Sequence, residues 1–256
     1  MLIIISPAKI LDLKPQNLVS DYTIPDCLDK AKQVIKRARE LSADELAELS
    51  GTNQSIAKTN LDRFYNWKTP FTTNNAKQAV FLFNGMVYTG LKAKTLNPED
   101  LNFMQNHLRI LSGLYGVLRP LDLMQPYRLE IGCGLQVGKA KNLYDFWGDT
   151  ITEKLNEVIE TSGNPKVLVN LASGEYFKSV NTKILKAKVI DIEFYETKND
   201  GSYKTIVVYT KKARGMMTRY IIQNRIDDPE ELKGFDAEGY WFSPQLSTDE
   251  KFVFTR

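Results

Sequence analysis

The chain has 256 residues, 43% hydrophobic and 25% charged, a globular composition able to bury one large core or two small ones. A net charge of +3 is only mildly basic, so any nucleic-acid footprint has to come from clustered cations rather than bulk charge. The widely separated Cys27 and Cys133 and the single histidine, His107, offer no nitrogen–sulfur ligand set for zinc or iron and no disulfide framework.

Met1–Ser6 reads as a fully buried strand, a continuous apolar run stopped by Ser6-Pro7. The run is too short for a signal segment or a membrane span, and the chain reads as cytoplasmic. Lys9 follows the strand end, a place where ligand groups collect in α/β folds, although a solvated surface lysine fits as well. Residues 26–50 carry helix-period apolar positions, then a second short helix whose Ser42 and Glu45 form a capping box. A helix is expected over 74–84 and a short apolar turn or strand over Met86–Leu91. Asn97-Pro98-Glu99-Asp100 is a helix start, with an N-cap, a proline at the first position and acids in the first turn, giving a helix over 98–111.

That helix enters Gly113-Leu114-Tyr115-Gly116, with Arg109, Arg119 and Arg128 close by in sequence. Two glycines at this spacing allow a tight reversal whose backbone N–H groups could converge on one phosphate. A helix C-cap at Gly113 followed by an ordinary turn explains the same four residues. A second short helix is expected after the turn, held to about two turns by Pro120 and Pro126.

Residues 142–160 read as a helix with aromatics on its buried face, and Val167–Ser173 as a second buried strand. Lys188–Tyr195 and Lys204–Tyr209 read as hairpin strands around Lys198-Asn199-Asp200-Gly201. Residues 211–226 form a basic amphipathic helix carrying Lys211, Lys212, Arg214, Arg219 and Arg225, with Met216, Met217, Tyr220 and Ile221 inward. A terminal hairpin joins 239–242 to 251–254. With no repeat and no long linker, the expectation is one mixed α/β domain over residues 1–256, a central sheet wrapped by helices.

The segment Asn170–Lys178 brings Ser173, Glu175, Tyr176 and Lys178 into one turn at a strand end. These groups suit acid–base work or polar ligand binding; a strand-to-helix junction with Ser173 as N-cap and Lys178 in solvent suits them equally. If the two buried strands are parallel neighbours, Ser6, Lys9, Glu175, Tyr176 and Lys178 face one crevice.

Five ordered blocks, Leu2–Lys9, Leu108–Glu130, Tyr144–Asp149, Val169–Val180 and Lys211–Met217, resemble the signature blocks of the YaaA peroxide-stress family across nearly the whole chain. The resemblance implies a cytoplasmic bacterial protein induced by hydrogen peroxide that lowers unincorporated iron and so protects DNA and proteins. It also implies an α/β domain with a helix-hairpin-helix element at Gly113, Leu114, Tyr115 and Gly116 and a basic cleft for double-stranded DNA. The leading expectation is therefore a non-enzymatic DNA-binding protein without cofactor or metal. Its contacts would come from the hairpin amides and from Arg109, Arg119, Arg128, Lys211, Lys212, Arg214 and Arg219, largely independent of sequence and steeply salt-dependent. The alternative is an enzyme acting on a nucleobase or nucleotide in the crevice of Ser6, Lys9, Glu175, Tyr176 and Lys178.

Overall fold

A computed structural model describes residues 1–15, 19–161, 163 and 165–256. In chain order the elements are β1 (Leu2–Ile5), α1 (Leu28–Ala38), α2 (Ala43–Ser50), α3 (Gln54–Asn66), β2 (Lys77–Gln78), α4 (Ala79–Leu82), α5 (Met86–Leu91), α6 (Pro98–His107), β3 (Leu108–Ser112), β4 (Gly116–Leu118) and β5 (Leu123–Met124). The second half contains α7 (Leu143–Trp147), α8 (Thr150–Thr161), β6 (Val167–Leu171), α9 (Gly174–Phe177), β7 (Lys188–Thr197), β8 (Tyr203–Lys204), α10 (Val207–Asn224), β9 (Trp241–Phe242) and β10 (Lys251–Thr255). Eight strands share one mixed sheet in the order β4-β3-β1-β6-β7-β10-β9, with β8 added to the end of β7. The expected mixed α/β architecture with a central sheet flanked by helices is what forms.

The central strands explain their own sequences. β1, β3 and β6 are buried along their whole length and pair in parallel, so β1 is a continuous Leu-Ile-Ile-Ile run and β3 and β6 are mostly apolar without strict alternation. β7 alternates instead, burying Ile190, Ile192 and Phe194. β1 lies between β3 and β6: the chain leaves β1 for one neighbour, then returns to the other side for β6, β7 and β10. The sheet therefore has a topological switch point between the carboxyl ends of β1 and β6, where open α/β sheets place their ligands.

Several local expectations are met. The Ser42–Glu45 capping box forms, Asn97 caps α6, and β9 pairs antiparallel with β10. Others are corrected. The expected helix over 74–84 shrinks to the four residues of α4 after a two-residue strand, and Met86–Leu91 is helical. The helix over 142–160 is two helices, broken at Gly148, whose φ of +50° lies in the left-handed region. The strand expected over 204–209 ends at Lys204, and the chain enters α10 at Val207. α3, on which the sequence reading was silent, packs against α1 and α2.

The largest correction concerns residues 98–130. α6 stops at His107, and the apolar run Leu108–Ser112 is a strand that turns at Gly113 into β4. The element is a helix followed by a β-hairpin, and the short helix expected after the turn is replaced by β4 and β5.

Candidate functional site

The glycine turn cannot hold a phosphate, because it is sealed in the core. Leu114 and Tyr115 are fully buried, and three polar groups of the turn have partners inside the protein. The Tyr115 amide donates to Ser112 Oγ at 2.9 Å, and Trp147 Nε1 donates to the Gly113 carbonyl at 3.0 Å. Trp67 Nε1 (3.0 Å) and the Gln125 amide (3.1 Å) both donate to the Tyr115 hydroxyl oxygen. The glycines serve packing instead. A Cβ at Gly113 would lie 2.4 Å from the Leu129 carbonyl oxygen, and one at Gly116 would lie 2.7 Å from the Trp147 ring. Gly116 also has a φ of +71°.

Most of the cations expected on DNA are occupied within the fold. Arg109 is buried and donates to the Gln105 (2.9 Å) and Leu108 (2.7 Å) carbonyls; burial lowers its pKa to about 10. Arg119 bridges Asp122 at 3.0 Å and Asp26 at 3.1 Å and donates to the Ile24 carbonyl. Arg219 pins the α5 end, reaching the Leu91 and Lys92 carbonyls and Thr95 Oγ1. Lys212 pairs with Glu238, and Arg225 with Asp100 at 2.8 Å. Each is more use to the fold than to a polyanion.

The conjectured crevice does form. β1 and β6 are parallel neighbours, with Ile5 opposite Leu171, so their carboxyl ends deliver Ser6 and Ser173 to one place. Ser6 Oγ accepts from the Ser173 amide at 2.9 Å and donates to Ser173 Oγ at 3.3 Å. Ser173 stands at the N-cap position of α9, but its hydroxyl turns to Ser6 instead of capping. Above these serines opens a cavity of about 460 Å³ lined by Ser6, Lys9, Glu175 and Tyr176, as expected, and also by Tyr88, Tyr127, Arg128, Glu130, Lys211 and Arg214. The volume suits a small-molecule ligand. Lys178 is not part of the lining: its ammonium lies over the Tyr144 ring, 5.0 Å from the centroid. Among the described residues, a larger cleft of about 520 Å³ gathers Lys32, Lys36, Arg39 and Lys68, but its lining includes neither the β1 nor the β6 strand end.

Within the crevice the charges are unevenly matched. Glu130 Oε1 binds Lys9 Nζ at 3.0 Å and Arg128 Nε at 3.1 Å. Glu175 Oε1 accepts from the Gly132 amide at 3.3 Å, and the Glu175 carbonyl accepts from the Tyr144 hydroxyl at 2.8 Å. Tyr88 donates to the Ser6 carbonyl at 3.1 Å, and burial pushes the Tyr88 and Tyr176 phenols well up, so both remain neutral donors. Arg214 differs from all of these. Among the described residues its guanidinium makes no hydrogen bond or ion pair, and its Nε is buried without a partner. Burial lowers its pKa, offset in part by attraction to Glu193 and Asp191.

A family model described as peroxide stress protein YaaA matches residues 1–246. The chain belongs to that family. Its role therefore lies in the response to hydrogen peroxide. The geometry adds that this YaaA-family chain gathers its unspent polar groups at the β1/β6 switch point and not at the glycine turn. No helix among the described residues is long and apolar enough to cross a membrane. Among the described residues no group of three or more His, Cys, Asp or Glu side chains is placed to hold a metal ion, and His107 is stacked on Phe103 with Nδ1 against the Met1 carbonyl.

The sequence places Arg128 and Arg214 on an expected DNA surface and gives no signal for Glu130 or Tyr88 as lining residues, while Tyr127, a base-stacking or core aromatic by sequence, is buried at the crevice wall. Glu130 ends one of the family-like blocks, but nothing in its spacing announces that β1 will bring Lys9 to it.

Proposed function

We propose that this peroxide-stress protein acts through the β1/β6 crevice by binding the phosphate of a nucleotide, either free or as an unstacked unit of DNA. The observation that carries this reading is the half-buried guanidinium of Arg214, whose Nε is shut away without a partner and which makes no hydrogen bond or ion pair among the described residues, in a crevice that also holds Lys9, Arg128 and Lys211. Glu193 and Asp191 attract Arg214 from a distance but neither pairs with it, so its buried Nε stays unsatisfied, and an anionic ligand that accepts from the guanidinium removes that cost. Duplex DNA fits the site only when the nucleotide is turned out of the stack, since the crevice is a pocket and not a groove. Protection of DNA and proteins through lower unincorporated iron then follows indirectly, from what the bound nucleotide or DNA controls, and not from iron held by side chains.

The test compares Arg214→Ala with Arg119→Ala in titrations of nucleotides and duplex DNA at several salt concentrations. Loss at Arg214 alone supports the crevice; equal loss at both, or loss at Arg119 alone, returns the site to a general basic surface. Catalysis on the nucleobase or nucleotide is favoured by one further observation: Ser6, Glu175 and Tyr176 line the same pocket as Arg214. Under that reading Glu175→Gln keeps nucleotide affinity while peroxide protection in cells disappears; retained protection rules it out.

A further inference from the structure

We infer that Glu130 reads a hydrogen-bond donor on the ligand, and that the nucleotide accepted by the crevice carries a guanine-type base; this rests on the crevice reading above. Glu130 is only 12% exposed in its side chain. Its Oε1 takes two cations, Lys9 and Arg128, while Oε2 is buried with no donor among the described residues. A buried acceptor without a donor is destabilising and uncommon in native folds, so this oxygen is open to a donor from outside the chain, whether water or a ligand N–H.

The two cations on Oε1 are not equivalent. Arg128 is held close, 19% exposed, whereas the Lys9 side chain is 61% exposed, and an ion pair that open to water is weak and readily exchanged. Lys9 is thus a displaceable stand-in: when its arm lifts, Glu130 faces the cavity with acceptors to offer. Arg214, in the same lining, offers donors and no acceptor. The complementary ligand has an anionic group for Arg214 and N–H groups for Glu130. At about 460 Å³ the cavity is far larger than inorganic phosphate requires. Among the bases, guanine presents two adjacent, parallel N–H donors on its pairing edge, the arrangement that satisfies both oxygens of a carboxylate. Adenine and cytosine present one amino group there.

Calorimetric titration of the full chain with guanosine monophosphate, adenosine monophosphate and ribose 5-phosphate tests this. Guanosine monophosphate is expected to bind at least about tenfold tighter than the other two, the effect of one or more charge-assisted hydrogen bonds. Glu130→Gln replaces an acceptor by a donor and is expected to erase that preference while leaving ribose 5-phosphate unchanged. Lys9→Ala, on an exposed side chain, keeps the preference and confirms that Lys9 is not the reader. If all three ligands bind, and Arg214→Ala weakens all three, but the wild type shows no guanine preference or Glu130→Gln changes nothing, the assignment of Glu130 is overturned while the crevice stands. If none binds, or Arg214→Ala is without effect, the crevice reading itself is overturned. A melting curve of Glu130→Gln matching the wild type ensures that any loss is local.

Discussion

The crevice depends on a close crossing of α5 and α10, and Gly215→Ala tests that crossing directly. A Cβ at Gly215 would sit 1.8 Å from the Val87 carbonyl oxygen and 2.8 Å from the Leu91 amide, and a Cβ at Gly90 would meet the Lys212 carbonyl oxygen at 2.2 Å. Ordinary contact lies near 3.4 Å, so one methyl at 215 forces the helices about 1.6 Å apart. The obstacle is main chain on both sides, and no side chain can rotate away, which puts the cost near the top of the 1–3 kcal/mol typical of overpacking, about 3 kcal/mol. Alanine returns about 1 kcal/mol of helix propensity. The net loss is about 2 kcal/mol, or roughly 4–8 °C in Tm for a chain of this size. The assay is thermal unfolding followed by circular dichroism, paired with nucleotide titration, because Arg214 immediately precedes the glycine and moves with it. Both Tm and affinity should fall. An unchanged or higher Tm would show that propensity alone was at work and that the helices do not meet backbone to backbone.

Tyr115→Phe leaves the Trp67 indole and Gln125 amide donors unpaired in the core, so it should cost about 2–4 kcal/mol in urea unfolding, taking about 1–2 kcal/mol for each orphaned donor. Nucleotide affinity measured in native buffer should not change, and a large loss of affinity in the folded variant would restore the turn as a binding element. Both cysteines are buried and burial raises their pKa, Cys133 to about 11, so at neutral pH the reactive thiolate is scarcer than in a free cysteine. Intact mass after mild peroxide treatment should therefore show no sulfenic or sulfinic adduct on the native protein; a rapid adduct at either position contradicts this. Ser42→Ala removes the acceptor for the Glu45 amide and should cost about 1 kcal/mol by chemical denaturation. No change would mean that the α2 start is held by packing alone.

What was legible in the sequence followed from patterns with one physical meaning. The β-branched-rich runs at 2–5 and 167–171 favour strands buried on both faces, and their polar ends, Ser6 and Ser173, had to emerge together once the strands paired. The capping box and the Asn97 start were legible for the same reason. Leu108–Ser112 was not, because a short apolar run fits a helix and a buried strand equally, and only pairing with β1 decides for the strand. The glycine turn misled because its spacing serves two unrelated ends. Close approach to a phosphate and close approach of the Leu129 backbone both require a missing Cβ, and the apolar Leu114 and Tyr115 between the glycines favoured the core. At 206–210, β-branched residues suggest a strand, but α10 begins there with Val207 and Val208 exposed.

The cations of α10 show how a charge cluster in sequence separates into different jobs in space. Lys211, Lys212, Arg214, Arg219 and Arg225 look like one basic surface when read as a string. A helix turns 100° per residue, so neighbours in the string face different parts of the protein. Lys212 faces Glu238, Arg219 the carbonyls at the α5 end, and Arg225 reaches back to Asp100 from just beyond the helix. These three hold α10 in place. Lys211 and Arg214, three residues apart on one face, are left in the crevice, and of the two only Arg214 has a buried nitrogen with no partner among the described residues. The same helix thus spends some charges on its own position and keeps one in reserve, and the reserved one lies at the point where the sheet changes direction. In the proposed reading Arg214 stands apart from the charges that fix α10 by its lack of a partner among the described residues, a property that exists only after folding.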